Sequence, residues 1–119
     1  EMKYVLLVYG EEKDLLALTP ERAAKLDADS LAYDRALDRE GKLVVAQALR
    51  SVKTSKSLRR RKGKAVVTDG PFAETKEQLL GFVMVEAADL AEALNIADGI
   101  PLAELGTIEV RAIYDIPGS

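Results

Sequence analysis

Residues 67–82 read VTDGPFAETKEQLLGF, a stretch in which a turn crowded with polar groups runs directly into an apolar segment. The turn is predicted by its residue types. Asp69 can bond to nearby backbone, Gly70 accepts a positive φ, and Pro71 forces the residue before it out of helical geometry. The apolar segment that follows, LLGFVMVE, predicts a buried strand over residues 79–86. Polar groups therefore collect beside a core strand, a position that favours a binding site.

Strand and helix patterns alternate along the rest of the chain. Apolar, β-branched runs predict further strands, and helical spacing behind two capping residues, Thr19 and Asp89, predicts two helices. Gly81 indicates a bulge or a close backbone approach within its strand. The expected elements are a strand at 3–9, a helix from 19 to 41, a strand at 42–49, a hairpin within 57–68 that turns at 62–63, a strand at 79–86, a helix from 89 to 99 and a strand at 107–116.

Two βαβ units in series predict an α+β fold. The expected arrangement is a ferredoxin-like βαββαβ antiparallel sheet with an inserted β-hairpin, in one domain that spans residues 1–119. Both helices would then cover one face of the sheet and leave the other face bare. A second copy that packs its own sheet on this face is the simplest cover, so we expect a homodimer resembling the dimeric α/β-barrel proteins.

Composition limits the chemistry that the chain can perform. It has 119 residues, a net charge of -3, and neither Cys nor His, which removes most thiolate and imidazole chemistry. The aspartates at 27, 29, 34 and 38 spread around the first predicted helix, so we expect no metal and no cofactor. No apolar run approaches the roughly 20 residues that span a bilayer, and no signal-peptide pattern is present. A cytoplasmic protein that does not enter the membrane is therefore expected.

The predicted hairpin concentrates positive charge. Residues 59–62 read RRRK, and on a hairpin such side chains alternate between two faces. A solvated edge that discourages aggregation explains this run, and so does a contact with a phosphate group or an acidic partner. No aromatic residues interleave with the cations, which argues against nucleic-acid binding.

Residues in and around the polar turn are the candidate site residues. Asp69 is the candidate catalytic base, a role that requires a buried carboxylate near neutral pH. Lys76 and Glu77, which would point to opposite faces of an extended segment, are candidate ligand contacts. Tyr9, beside the glycine that ends the first strand, and Arg50 are further candidates. A capped turn with a solvated polar edge would explain the turn residues without any ligand.

Residues 69–78, DGPFAETKEQ, resemble the signature of the DGPF branch of the YCII-related proteins. The opening strand at 2–10, the second helix at 89–94 and the last strand at 106–111 are also similar to that family, so the resemblance covers nearly the whole chain. Leu80 departs from the branch, in which a glycine pair commonly precedes the aromatic residue. The family belongs to the dimeric α/β-barrel superfamily, and its members are mostly small, bacterial and functionally uncharacterised.

The resemblance also bears on catalysis. The wider family is associated with a His and Asp pair proposed as catalytic, and at least one relative is a dehydrochlorinase of chlorinated aromatics. Here Ser30 and Ile100 stand at the positions of that pair, and neither can shuttle a proton at neutral pH. Whether this chain is an enzyme is therefore left open by its sequence.

Three functions remain in view. The first is the binding of a small polar or anionic ligand in a cleft between sheet and helices. The second is a cofactor-independent lyase or isomerase in which Asp69 is the base and Lys76 or Arg50 stabilises developing negative charge. The third is a regulatory or interaction module that docks an acidic partner through the basic hairpin.

Overall fold

A four-stranded antiparallel sheet with its two longer helices on one face forms the body of the protein. The structure, a computed structural model, describes all residues from Glu1 to Ser119. The strands are β1 (Met2–Gly10), β2 (Leu43–Ala48), β3 (Lys56–Arg61), β4 (Lys64–Asp69), β5 (Gln78–Ala87) and β6 (Thr107–Ala112). The helices are α1 (Glu12–Leu16), α2 (Pro20–Arg39) and α3 (Leu90–Asp98), with short 3-10 helices at Val52–Thr54 and Pro101–Glu104.

The strand order is β2-β5-β1-β6, and β3 and β4 form a separate two-stranded sheet. This order is compatible with the ferredoxin-like fold that the two βαβ units predict, with the hairpin inserted between the second and third strands of the main sheet. None of the helices is long and apolar enough to cross a bilayer.

Both predicted helix caps are confirmed. The Thr19 hydroxyl accepts a hydrogen bond from the Arg22 N–H at 3.2 Å. The Asp89 carboxylate accepts from the Glu92 N–H at 2.9 Å, and the Glu92 carboxylate accepts in return from the Ala88 N–H at 3.1 Å. Each cap satisfies backbone donors that the first helical turn leaves free, a contribution of about 1 kcal/mol.

Two expectations about the elements are wrong. Residues 12–16, which lie outside the expected strands and helices, form α1, whose first N–H donates to the side chain of Gln78 at 2.9 Å. The last strand stops at Ala112, which pairs with Tyr4, instead of continuing to residue 116; the Ile113 N–H still donates to the Lys3 carbonyl at 2.9 Å, and β1 begins just beyond, at Met2. In both places the outcome depends on a partner distant in sequence.

The core lies between the sheet and the helices. Alternate residues of the central strands β1 and β5 are buried against α2 and α3, and the Tyr33 hydroxyl of α2 donates to the Ile96 carbonyl of α3 at 2.6 Å. This bond ties the two helices together over the sheet. The buried side chains of the core are Tyr4, Leu6, Val8, Leu37, Val83, Val85, Ala87, Ala93, Ile96, Ala97 and Ile100.

The opposite side of the sheet, here called the open face, is apolar in its middle. Strand register places Leu7 opposite Phe82, and Met84 opposite both Val5 and Val45, so their side chains share this face. All five are only partly buried. Along the edge strand β6 the open face becomes polar, with Thr107, Glu109 and Arg111. The predicted bare sheet face is therefore present in the single chain.

The hairpin of β3 and β4, here called the arm, projects from the body. Lys62 and Gly63 have φ angles of 51° and 76°, as the two-residue type I′ turn requires, so the predicted turn is confirmed. All residues of β4 are exposed, and in β3 only Ser57 is partly covered. The radius of gyration is 16.3 Å. A compact chain of this length would have about 13.5 Å, so the molecule is extended.

Gly81→Ala is expected to destabilise the protein by about 1–3 kcal/mol because β2 and β5 approach each other closely at this residue. An added Cβ would lie 2.6 Å from the Gln47 carbonyl oxygen and 3.1 Å from the Ala48 Cα, both backbone atoms. Gly10→Ala is the control, since its Cβ would first meet the Leu80 Cδ1 at 2.9 Å, the end of a flexible side chain. Urea unfolding of both variants measures their free energies of unfolding. Equal destabilisation of Gly81→Ala and Gly10→Ala would contradict the close-approach explanation.

Candidate functional site

Four of the five candidate site residues belong to one end of the main sheet, here called the polar end. Gly10 at the end of β1 pairs with Gln78 at the beginning of β5. The Leu49 N–H, just after β2, donates to the Leu80 carbonyl at 2.8 Å. The ends of three neighbouring strands therefore meet here. They bring Tyr9, Arg50, Lys76 and Glu77 to the same end of the sheet.

A hydrogen-bond network around Glu12 holds the polar end together. The Glu12 carboxylate accepts from the Ser51 hydroxyl at 3.3 Å and from the Val52 N–H at 3.2 Å. The Gln78 amide accepts from the Glu12 N–H and donates to the Thr75 carbonyl at 2.8 Å and the Lys76 carbonyl at 3.2 Å. Sequence reasoning missed Glu12, because only its contacts across the fold distinguish it from other surface carboxylates.

Asp69 lies at the base of the arm and is largely solvated. Its side chain is 88% exposed and forms a cross-strand ion pair with Lys56. The next residue, Gly70, donates its N–H to the Ser55 carbonyl at 2.8 Å and accepts from the Ser57 hydroxyl at 2.8 Å. In the single chain these groups fasten the arm, and nothing supplies the burial that a general base near neutral pH requires.

Tyr9 belongs to the open face. In β1 the residues at 4, 6 and 8 are buried under the helices, whereas Tyr9 alternates with them and pairs with Thr107 of β6. The cleft between sheet and helices that was expected to hold the ligand would lie on the other side of β1, where the buried core fills the space. A ligand that touches Tyr9 would approach from the open face.

Cations without partners surround the polar end. Arg50, Lys53 and Lys76 are exposed, and the four ion pairs of the chain all involve other lysines. Glu77, next to Lys76, is partly buried, and its carbonyl accepts from the Thr75 hydroxyl. Three unpaired cations can bind an anionic group, and the Glu77 carboxylate, which also lacks an ion-pair partner, can accept a hydrogen bond beside them.

Asp34 stands apart from the other aspartates of α2. Its carboxyl is partly buried and makes neither an ion pair nor a hydrogen bond to another side chain, and desolvation raises the pKa of Asp34 above the ordinary 3.8. The sequence predicted only that the aspartates spread around this helix, and did not distinguish Asp34 from the others. Nowhere do three or more Asp or Glu side chains gather closely enough to hold a metal ion.

Ser30 and Ile100, which the resemblance sets at the positions of the catalytic pair, are residues without acid or base function at neutral pH. Ser30 lies partly buried on α2, and Ile100 is 6% exposed within the core. Ile100 is therefore a packing residue in this fold.

The model of the YCII-related domain matches residues 2–117. The chain belongs to the YCII-related family. An uncharacterised protein of Rhizobium meliloti strain 1021 is similar, with 38% identity over 114 residues that cover 94% of this chain and 92% of the relative. This YCII-related protein thus aligns with its relative over nearly the whole length of both chains.

Glu12→Ala is expected to lower the free energy of unfolding by about 1–2 kcal/mol, because the Val52 N–H and the Ser51 hydroxyl lose their acceptor. Glu12→Gln keeps a carbonyl oxygen there and should lose less. The matched control is Glu74→Ala, since Glu74 is exposed and forms no ion pair. The free energy of unfolding of Glu74→Ala should change by no more than about 0.5 kcal/mol. Chemical denaturation measures these free energies of unfolding. Equal losses in Glu12→Ala and Glu74→Ala would contradict the stabilising role of the network.

Asp34→Asn is expected to stabilise the protein at neutral pH, since burial raises the pKa of Asp34 and so penalises its charged form in the folded state. The folded chain then binds this proton more tightly than the unfolded chain. The penalty is therefore complete above the folded-state pKa and disappears as the pH falls below the ordinary value of 3.8. Denaturation midpoints of Asp34→Asn and of the unsubstituted protein, compared across this pH range, measure the penalty. Asp27→Asn, at an exposed position of the same helix, should show no comparable gain.

Proposed function

We propose that this YCII-related protein, of the DGPF type, binds a small polar or anionic ligand at the polar end of the sheet, on the side of the open face. The observation that carries the proposal is the set of exposed, unpaired cations Arg50, Lys53 and Lys76 at the end of the sheet where Tyr9 lies. The proposed ligand position is therefore on a different side of the sheet from the cleft that the sequence predicted.

Each candidate residue has a chemical role in such a site. Arg50 can bind a carboxylate or phosphate through two parallel N–H donors, and Lys76 can add a mobile point charge. The Tyr9 hydroxyl can donate to or accept from the ligand, and Glu77 accepts from a hydroxyl or amine. Together they favour a small molecule that carries an acidic group and at least one further polar group.

A second copy of the chain would complete the site. The apolar middle of the open face, formed by Val5, Leu7, Val45, Phe82 and Met84, is the kind of surface that a sheet-to-sheet dimer covers. Two sheets packed in this way would form a dimeric α/β barrel. They would also turn the surface around Tyr9 into the wall of a concave site, the usual form of a small-molecule site.

A lyase or isomerase reaction has less support than binding. Asp69, the candidate base, is 88% exposed and paired with Lys56. By the resemblance, Ser30 and Ile100 stand where the catalytic pair is expected, so acid and base chemistry would have to come from other groups. The binding proposal requires neither.

The binding proposal is tested by screening small carboxylates, phosphates, phenols and lactones for thermal stabilisation, with hits measured by calorimetry. Arg50→Ala and Lys76→Ala are each expected to weaken binding of an anionic hit about tenfold or more, the loss of one charge-assisted hydrogen bond. Tyr9→Phe tests the hydroxyl alone.

Lys3→Ala is the matched control, because Lys3 is an exposed cation at the opposite end of β1. In the strand register it lies across from Glu86 of β5. It lies six residues from Tyr9, about 20 Å along the strand, and should leave the affinity unchanged. Equal losses in Lys3→Ala and Lys76→Ala would show that binding responds to net charge alone. The proposed site would then be wrong.

A further inference from the structure

The arm carries charge of the opposite sign to the rest of the chain. It contains six cations and one carboxylate, so its net charge is +5, and a chain of net charge -3 leaves -8 for all other residues. The cations are Lys56, Arg59, Arg60, Arg61, Lys62 and Lys64. The body of one molecule is therefore electrostatically complementary to the arm of another.

The arm also exposes apolar side chains that its own chain does not cover. Leu58 and Val67, a cross-strand pair, are 64% and 58% exposed. On the other face, Val66 is 48% exposed and Phe72, just beyond the arm, is 78% exposed. Isolated two-stranded hairpins are only marginally stable in water. An arm with apolar groups on both faces therefore gains from a surface to pack on.

A small hollow lies on one face of the arm. It encloses about 100 Å³ between Ser57, Arg59, Val66, Thr68, Pro71 and Phe72. The hollow combines apolar walls with a guanidinium group, a combination that suits an acidic protein surface better than a bare phosphate chain. The arm strands carry no aromatic residues on which bases could stack, and the body would repel a polyanion.

We propose that the arm docks on the acidic body of a second copy of this chain and so clasps the dimer outside the sheet-to-sheet contact. The sheets would supply the central apolar interface, and each arm would add a peripheral contact that combines charge complementarity with the burial of Leu58, Val67 or Phe72. This contact goes beyond the ligand site, because the arm is the middle of the connection between β2 and β5, whereas Arg50 and Lys76 of the proposed site stand at the two ends of that connection.

The first test removes the arm while keeping its base. Residues 58–67 are replaced by Asn-Gly, which retains the Lys56–Asp69 and Ser57–Thr68 pairs and supplies a two-residue hairpin turn. Sedimentation equilibrium of the full chain should show a dimer that weakens as salt rises. The shortened variant should dimerise at least tenfold more weakly and with less salt dependence. Unchanged affinity and salt dependence, or a wild type that stays monomeric throughout, would overturn the proposal.

Charge reversal separates a specific contact from general repulsion. The triple variant Arg59→Glu, Arg60→Glu, Arg61→Glu is expected to weaken the dimer at least tenfold. The matched control reverses Arg22, Arg35 and Arg39, three exposed cations of α2, and makes the same change in net charge away from the arm. Equal weakening in both triples would overturn the proposal.

The absence of Cys from the chain permits a direct test of the contact. Leu58→Cys, labelled with a photo-crosslinker, should join the arm to acidic surface peptides of the second copy in mixed samples of isotopically labelled and unlabelled protein. Crosslinks confined to one copy would overturn the proposal. So would tight binding of a fluorescent oligonucleotide by the arm together with a dimer affinity that is indifferent to arm removal.

Discussion

The antiparallel pairing of β1 with β5 is the contact on which the rest of the structure depends. These are the two central strands of the order β2-β5-β1-β6, and each edge strand pairs with only one of them. Because side chains alternate along a strand, the register of this pair decides which residues enter the core and which reach the open face. A slip by one residue would exchange Leu6 for Leu7 in the core and move Tyr9 to the helix side.

The register is not uniform along this pair. Val8 pairs with Gly81 and Tyr9 with Leu79, so Leu80 is an extra residue in β5. The bulge coincides with the polar end of the sheet, where Gly81 also allows close approach of β2. Bulges redirect side chains and end regular pairing. The place where the candidate site residues gather is therefore also the place where the sheet departs from regular geometry.

The parts of the fold that local chemistry determines could be predicted from the sequence. Apolar runs located the sheet strands, Thr19 and Asp89 marked the starts of two helices, and the Lys62–Gly63 turn defined the hairpin. The parts that depend on distant partners could not. No local pattern indicates that Gln78 holds the first turn of α1, that β6 ends near the beginning of β1, or that Asp34 alone among the aspartates of its helix is partly buried.

The location of the candidate site could be predicted from the sequence. Which of its residues stabilise the fold and which remain available to a ligand could not. The sequence placed the emphasis on a carboxylate, Asp69, as the candidate base among the polar groups of the turn. In the structure the polar groups of Asp69, Thr75 and Gln78 are engaged within the chain, where they hold the arm and the polar end in place.

The cations Arg50 and Lys76 have no such internal partner. A side chain whose charge is already paired contributes to the fold, whereas an exposed charge without a partner can be neutralised only by something outside the chain. By this criterion Arg50 and Lys76, and with them the unpaired Glu77, are better candidates for function than Asp69, which is paired with Lys56. That distinction favours recognition of an anion over base catalysis at this site.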